Sequence, residues 1–413
     1  MNILFLSTWY PYPPDNGSKL RVYHLLRSLA ARHRVTLLSL TFGTADPVVG
    51  NTILMDFCAE VQTVAQSPFE CSAVARALRF FSPVPVVNRT IPAMHYQVTR
   101  ALARCSYDVV IASTKGMASY TRSAPFHAIR VLEEHNSLSR QMWERYQQEK
   151  EPVQRLRCWV SWQKTRRYEA SVLRRHHLVT MVSEEDRNAC LLLLRNDTGH
   201  VEVVPNGVDC AHNRPGLAQP RPGRLVFNGS LTYSANYDAM RWFLAEVYPR
   251  VKAQVPGVTL TITGSTSGVD LANLALDDSV TLTGFVEDVR IPVAEASVAV
   301  APIRQGGGTR LKILEAMALG TPVVATAKGA EGLDVVADEH LLLADDPIAF
   351  AAQVVRLLLD PPLQLRLSQQ ARQLVEQKYD WEEIGRTFVR LIEDTVAEHR
   401  EQALQRTLRG FHD

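Results

Sequence analysis

The sequence predicts an α/β protein made of two doubly wound, Rossmann-like domains facing across a cleft. Three observations carry that expectation. The chain has 413 residues, more than one hydrophobic core usually serves. Short, near-continuous apolar runs alternate with helical stretches, the pattern of parallel strands covered on both faces. The alternation runs through the chain twice, on either side of a break dense in proline and glycine.

The elements follow in order. In the first half the apolar, β-branched runs are Asn2–Ser7, Val35–Leu40, Asp108–Ser113, Ile129–Leu132, Leu178–Val182 and Val201–Val204. After the first run, Pro11 to Ser18 form a stiff loop containing Gly17. A helix follows, with Leu20, Tyr23, Leu26 and Ala30 at helical spacing and Val22, Leu25 and Leu29 widening the stripe. A strand, a glycine loop and a helix N-terminus make an anion site, because unpaired backbone N–H groups point outward there; the alternative is a plain helix cap at Ser18. Pro205-Asn206-Gly207 then opens the break, which runs through Pro215, Gly216, Pro220, Pro222 and Gly223. The second half supplies runs at Arg224–Asn228, Val258–Thr263, Ser279–Thr283, Ser297–Ala301, Pro322–Ala325 and His340–Leu343. The expected division is residues 1–205, residues 206–378, and a charged helical segment 379–413 packing back toward the first domain.

Composition removes several function classes. With 46% hydrophobic and 21% charged residues the chain is neither disordered nor fibrous. Forty-five Lys and Arg against 43 Asp and Glu leave a formal charge of +2, without the basic excess of a nucleic-acid binder. The six cysteines (Cys58, Cys71, Cys105, Cys158, Cys190, Cys210) form no CxxC pair, and His176 and His177 are adjacent rather than one turn apart. No bound metal and no tightly held cofactor are expected. The N-terminal run is short and lacks a basic flank, and no apolar run approaches the roughly 20 residues of a membrane span. A cytoplasmic protein is expected, with peripheral membrane contact left open.

The most informative stretch is 304–318. Gly306, Gly307 and Gly308 follow a buried strand and let backbone approach a ligand closely. The helix that opens there supplies amide donors and a positive dipole end, and Arg310 and Lys312 add fixed positive charge. Thr309 stands at the turn, and Glu315 lies almost two turns in, where a carboxylate accepts hydrogen bonds from vicinal hydroxyls. Together these parts fit a nucleoside diphosphate attached to a sugar. The plainer reading is a flexible loop with Lys312 and Glu315 as a surface pair.

The stretch GGGTRLKILEAMALGTPVVAT resembles the donor-binding segment of glycosyltransferase family 4, retaining enzymes of the GT-B fold. The resemblance extends over nearly the whole chain, through PYPPDNGSKLRVYHLLRSLA, LEEHNSLSRQMWERY, VTMVSEEDR, VVPNGVD, LVFNGSLTYSANYDAMRWFL and VTLTGFVEDV. It implies a metal-independent glycosyltransferase of the hexosyl type, acting in polysaccharide or related biosynthesis on a glycan, glycolipid or small-molecule acceptor. Carried over residue by residue, Gly17 meets the donor phosphates and His135 lies on the acceptor side near the donor sugar. Gly229 and Ser230 line the diphosphate floor, Phe285 and Val286 flank the base, and Glu315 holds the ribose hydroxyls. For His135 the alternative is a structural histidine, and for Gly229, Ser230, Phe285 and Val286 it is ordinary strand-end packing.

Two departures stand out. The family's Glu–x7–Glu signature places its first Glu where this chain has Gly307. The loop after the second domain's first strand, Asn228 to Ser234, lacks the usual basic pair. Arg310 and Lys312 are the expected replacements at the diphosphate, and they join His135 as candidate catalytic residues. A third basic feature lies elsewhere: between Lys150 and Arg175 there are eight basic residues against Glu151 and Glu169, with Trp159 and Trp162 among them. This segment fits docking on anionic lipid, or a solvated helix face with its tryptophans in the core. Competing functions on the same frame are a nucleotide-sugar epimerase, a phosphorylase-like activity, and a catalytically silent nucleotide-sugar-binding protein.

Overall fold

The computed structural model describes residues 1–43, 47–70, 90–194, 200–306 and 310–409. The chain divides into two units, one holding Met1–Pro205 together with the chain from Ile384 onward, the other Asn206–Glu383. Each is a parallel sheet flanked by helices.

In the first unit the strands are β1 (Asn2–Ser7), β2 (Arg34–Thr41), β3 (Glu60–Ala65), β4 (Val109–Ser113), β5 (Ile129–Glu133), β6 (Leu178–Met181) and β7 (Val201–Val203). Their order is β3-β2-β1-β4-β5-β6-β7, and every pairing is parallel. The helices are α1 (Gly17–Ala30), α2 (Pro47–Met55), α3 (Pro92–Arg104), α4 (Leu138–Gln148), α5 (Pro152–Leu173) and α6 (Glu184–Leu194). Six of the strands coincide with apolar runs of the sequence. The seventh, β3, reads EVQTVA and buries only Val64, because it lies at the edge of the sheet and needs no continuous apolar run.

The second unit contains β8 (Arg221–Asn228), β9 (Thr259–Thr263), β10 (Val280–Gly284), β11 (Ala296–Ala301), β12 (Val323–Ala325) and β13 (Leu342–Leu343), ordered β10-β9-β8-β11-β12-β13. Its helices are α7 (Ser234–Trp242), α8 (Tyr248–Gln254), α9 (Arg290–Ala294), α10 (Leu311–Leu319), α11 (Pro347–Leu359) and α12 (Pro361–Lys378), with a π turn at Phe243–Val247 joining α7 to α8. Alternate residues of β8 enter different cores. Leu225 and Phe227 pack with Phe243 and Phe350, while Val226 packs with Leu314 and Met317. Burial on both faces is why these strands read as unbroken apolar runs.

The last helix, α13 (Trp381–Arg409), starts at the end of the second unit and continues in the first. Up to Trp381 the chain stays with the second unit, because Val208 bridges Asp380 and the Trp381 amide donates to the Val208 carbonyl. Beyond Ile384 it belongs to the first. There Gly385 passes Ser28 so closely that a Cβ would lie 2.0 Å from its Oγ, His33 stands 3.1 Å from Glu393, and Arg400 pairs with Asp108 at 2.7 Å.

Both sheets reverse their winding beside their first strand, between β1 and β4 and between β8 and β11. Loops leaving the carboxyl ends of such a pair diverge and open a crevice, where doubly wound sheets hold their ligands.

Candidate functional site

In the second unit the crevice lies between the loops after β8 and β11. Gly229 follows β8, and a Cβ there would stand 2.8 Å from both Lys312 Nζ and Asn236 Nδ2, so glycine is what lets the lysine reach this place. Lys312 Nζ donates to Asn236 Oδ1 at 2.8 Å and sits 4.1 Å from the centre of the Phe227 ring. One turn on, Glu315 Oε2 accepts from Asn228 Nδ2 at 2.7 Å, and Asn228 Oδ1 accepts from Thr263 Oγ1. Burial pushes Lys312 down to about 7, helped by the Arg310 charge and opposed by Glu315. Burial pushes Glu315 up to about 7 against the pull of Lys312 and Asn228. The amine sits against the Phe227 ring rather than projecting from the helix surface, and that burial is what lowers it.

Arg310 is also not a projecting cation. It is 7% exposed, its Nη2 donates to the Gly306 carbonyl at 2.8 Å, and Glu331 lies 3.8 Å away. The guanidinium ties residue 310 to residue 306, and Gly306 takes a positive φ of 93°, which glycine adopts without strain. Gly307, Gly308 and Thr309 lie outside the described residues. Ser230 is built into the floor: its Oγ donates to the Ser265 carbonyl at 3.0 Å, and a Cβ on Gly264 would stand 2.6 Å from its amide nitrogen. Phe285 and Val286 follow β10, two strands away from β8 at the sheet edge, and the Phe285 ring is 85% exposed. Such exposure is not strand-end packing.

In the first unit, α1 begins at Gly17, and the residue that caps it is Asn16, whose side chain accepts from the Lys19 amide at 3.1 Å. Ser18, the cap anticipated from sequence, has another task because its Oγ lies 3.2 Å from His135 Nδ1. The other ring nitrogen of His135 is 3.3 Å from Glu133 Oε2 and 3.5 Å from Ser113 Oγ. Glu133 is fully buried and holds the Arg21 guanidinium in a close ion pair, while Arg21 Nη1 donates to the Pro205 carbonyl at 2.9 Å. Burial alone would raise the Glu133 carboxyl. Arg21, His135 and the Ser113 hydroxyl outweigh it and hold the group well below the usual carboxylate range.

Beside His135 the chain is strained. Thr114, immediately after β4, adopts φ of 72°, unusual for a β-branched residue, with its hydroxyl 2.9 Å from that of Thr8 at the end of β1. The sequence singles out His135 but not Arg21, Glu133 or Thr114, because no local pattern announces that Arg21 has a partner 112 residues away.

The basic segment forms α5. Val153, Leu156 and Trp159 are 63%, 61% and 42% exposed, and the Trp162 ring lies tilted against Trp143 with centres 4.5 Å apart. Trp143 on α4 and Trp159 on α5 are thus partly open to solvent. Among the described residues no single helix is long and apolar enough to cross a membrane, and no three His, Cys, Asp or Glu side chains gather in a metal-holding group.

Comparison with known proteins supplies independent findings. A family model described as Glycosyltransferase Family 4 matches residues 16–212, and one described as Glycosyl transferases group 1 matches residues 222–360. A phosphatidyl-myo-inositol mannosyltransferase of Mycolicibacterium smegmatis is 31% identical over 203 residues, 46% of this chain and 51% of that protein. The chain spans about half the length of the curated relatives it matches. Among solved structures, a sucrose-phosphate synthase from Thermosynechococcus elongatus superimposes with a TM-score of 0.70 at 20% identity, covering 96% of this chain and all of that one. Anabaena HepE in complex with UDP gives 0.68 at 16% identity, covering 95% of this chain and all of that one. At those identities the likeness speaks for the two-unit Rossmann-like fold.

Proposed function

Because the chain belongs to glycosyltransferase family 4, we propose that it moves a sugar from a nucleotide-sugar donor to an acceptor hydroxyl, with retention at the anomeric carbon. The observation that carries this reading is the crevice after β8, where Gly229 gives up its side chain so that Lys312 and Asn236 meet. The relative crystallised with UDP, Anabaena HepE, supports a uridine nucleotide as the first donor class to test.

The difficult step is departure of the nucleoside diphosphate as positive charge grows on the sugar ring. Lys312, the N-terminus of α10 and the loop braced by Arg310 stabilise that leaving group, in a role that needs no bound metal or other cofactor. An arriving diphosphate favours the protonated amine, so Lys312 gains its charge as the donor binds. Glu315 takes the ribose hydroxyls, Gly17 and Gly229 with Ser230 meet the phosphates, and Gly307, Gly308 and Thr309 supply backbone amides. Phe285 and Val286 flank the base, and His135, set by Glu133, serves the acceptor side. The acceptor is a glycan, glycolipid or small molecule. The segment 150–175 brings the enzyme to the cytoplasmic face of an anionic membrane, through the exposed Val153, Leu156 and Trp159 with their basic neighbours.

Thermal-shift screening with UDP- and GDP-sugars tests the donor, and product analysis tests the reaction. Glycosyl transfer or slow donor hydrolysis is expected. An epimer formed without transfer points to the epimerase reading, and absence of any response to nucleotide sugars removes the proposal. Co-sedimentation with phosphatidylglycerol vesicles, weakening with salt, tests the membrane contact.

A further inference from the structure

The first unit has a cavity of about 280 Å³ at its own crevice. Its walls come from the loop after β1 (Thr8, Trp9), the loop after β4 (Thr114 to Met117) and the segment after β5 (Glu134 to Asn136). Trp9, Phe42 and Phe69 form a three-ring group, with centres 5.3 to 5.6 Å apart, and Trp9 and Phe69 turn onto the cavity. The size is at the lower end of the ~300–1,000 Å³ of small-molecule sites, room for one ring rather than an extended chain.

Its charge is the telling feature. Lys115 lines the cavity but is 7% exposed, and its ammonium is committed: 2.7 Å from Glu169, 3.6 Å from Glu134, and donating to the Asn136 carbonyl at 3.3 Å. Glu169 is itself bound by the amides of Leu138 and Ser139 at 3.1 Å each, which fixes the acid and hence the lysine. Two carboxyl groups around one buried ammonium leave no surplus positive charge for a phosphate. Burial, opposed by Lys115 and aided by Glu169 and Glu133, also pushes Glu134 up to about 8. A lining that joins the Trp9 and Phe69 rings to hydroxyl, amide and carboxyl groups suits a ring with one apolar face and several hydroxyls.

We propose that this cavity is the acceptor subsite and that it takes an uncharged sugar ring stacked on Trp9, in preference to a phosphorylated polyol. The proposal rests on the glycosyltransferase reading and narrows its acceptor to a neutral saccharide end. Trp9 holds the apolar face of the ring, and Glu134, Asn136 and Gln141, which also line the cavity, meet its hydroxyls.

The experiment is ligand-observed saturation-transfer NMR on the full chain with methyl gluco-, galacto- and mannopyranosides, and with myo-inositol 1-phosphate at equal concentration. At least one methyl glycoside is expected to receive saturation and the inositol phosphate none. Trp9→Ala is expected to weaken glycoside binding at least tenfold, with Trp9→Phe restoring most of it. Stronger binding of the inositol phosphate, no glycoside binding, or binding indifferent to Trp9→Ala overturns the proposal. The thermal response to UDP-glucose and GDP-mannose is recorded on the same samples. If that response persists while glycoside binding fails, only the acceptor inference falls; if no nucleotide sugar binds, the donor reading falls.

Discussion

The two crevices occupy equivalent places in two equivalent sheets, yet they treat charge in opposite ways. Among the described residues of the first unit the buried cations face buried acids: Arg21 faces Glu133, and Lys115 faces Glu169 and Glu134. These groups leave the cavity no surplus cation. In the second unit Lys312 and Glu315 are each held by an asparagine amide and pushed toward neutrality. Burial makes those two charges expensive, and a ligand that restores their solvation is what the proposed donor would supply. Paired charges need no such partner.

The largest effect that sharpens this contrast is on stability. Arg21→Met leaves Glu133 buried without its cation and is expected to cost about 3–5 kcal/mol, read from chemical denaturation at neutral pH. Because the folded Glu133 carboxyl is depressed, its contribution is present above the unfolded carboxyl range and is lost as pH falls. The wild-type margin over Arg21→Met therefore narrows on acidification. Next, Arg310→Ala releases the loop at Gly306 and is expected to lower turnover about a hundredfold, on the order of 3 kcal/mol in barrier, with the thermal midpoint little changed. Near-normal turnover would remove Arg310 from the mechanism.

Lys312→Met is the mirror image of Arg21→Met. It removes a destabilised buried amine, so folding stability is expected to stay level or rise, while nucleotide-sugar affinity falls by about 1.5–3 kcal/mol in titration calorimetry. A large loss of stability instead would make the two units alike. The smallest effect is on pH. As pH rises through 7, Lys312 loses its charge and Glu315 gains one, and both changes oppose a diphosphate. Affinity is expected to fall above pH 7, approaching about tenfold per unit, with proton uptake visible as a buffer-dependent binding enthalpy. A flat profile between pH 6 and 9 contradicts the titrating amine.

Much of this was readable in advance, for reasons that differ by element. β11 and β12 announce themselves because every residue in them is buried, whereas β3, at an edge, does not. Gly229 and Lys312 were both singled out, one as floor and one as cation, but nothing in the sequence says that the first is small so that the second can reach Asn236. The same holds for the tryptophans of α5, whose helical spacing suits a core equally with a surface. Their exposure depends on what packs beside them.

The sequence by itself determined what depends on local order: which runs are strands, where glycine opens a loop before a helix, and that the pattern occurs twice. These follow from short-range sterics and from hydrophobic period. Only the tertiary structure decided which charges are permanent. Arg21 and Glu133 stand 112 positions apart and Lys312 and Asn236 stand 76 apart. A side chain's ionisation depends on its solvent and its neighbours in space, and the chain order specifies neither.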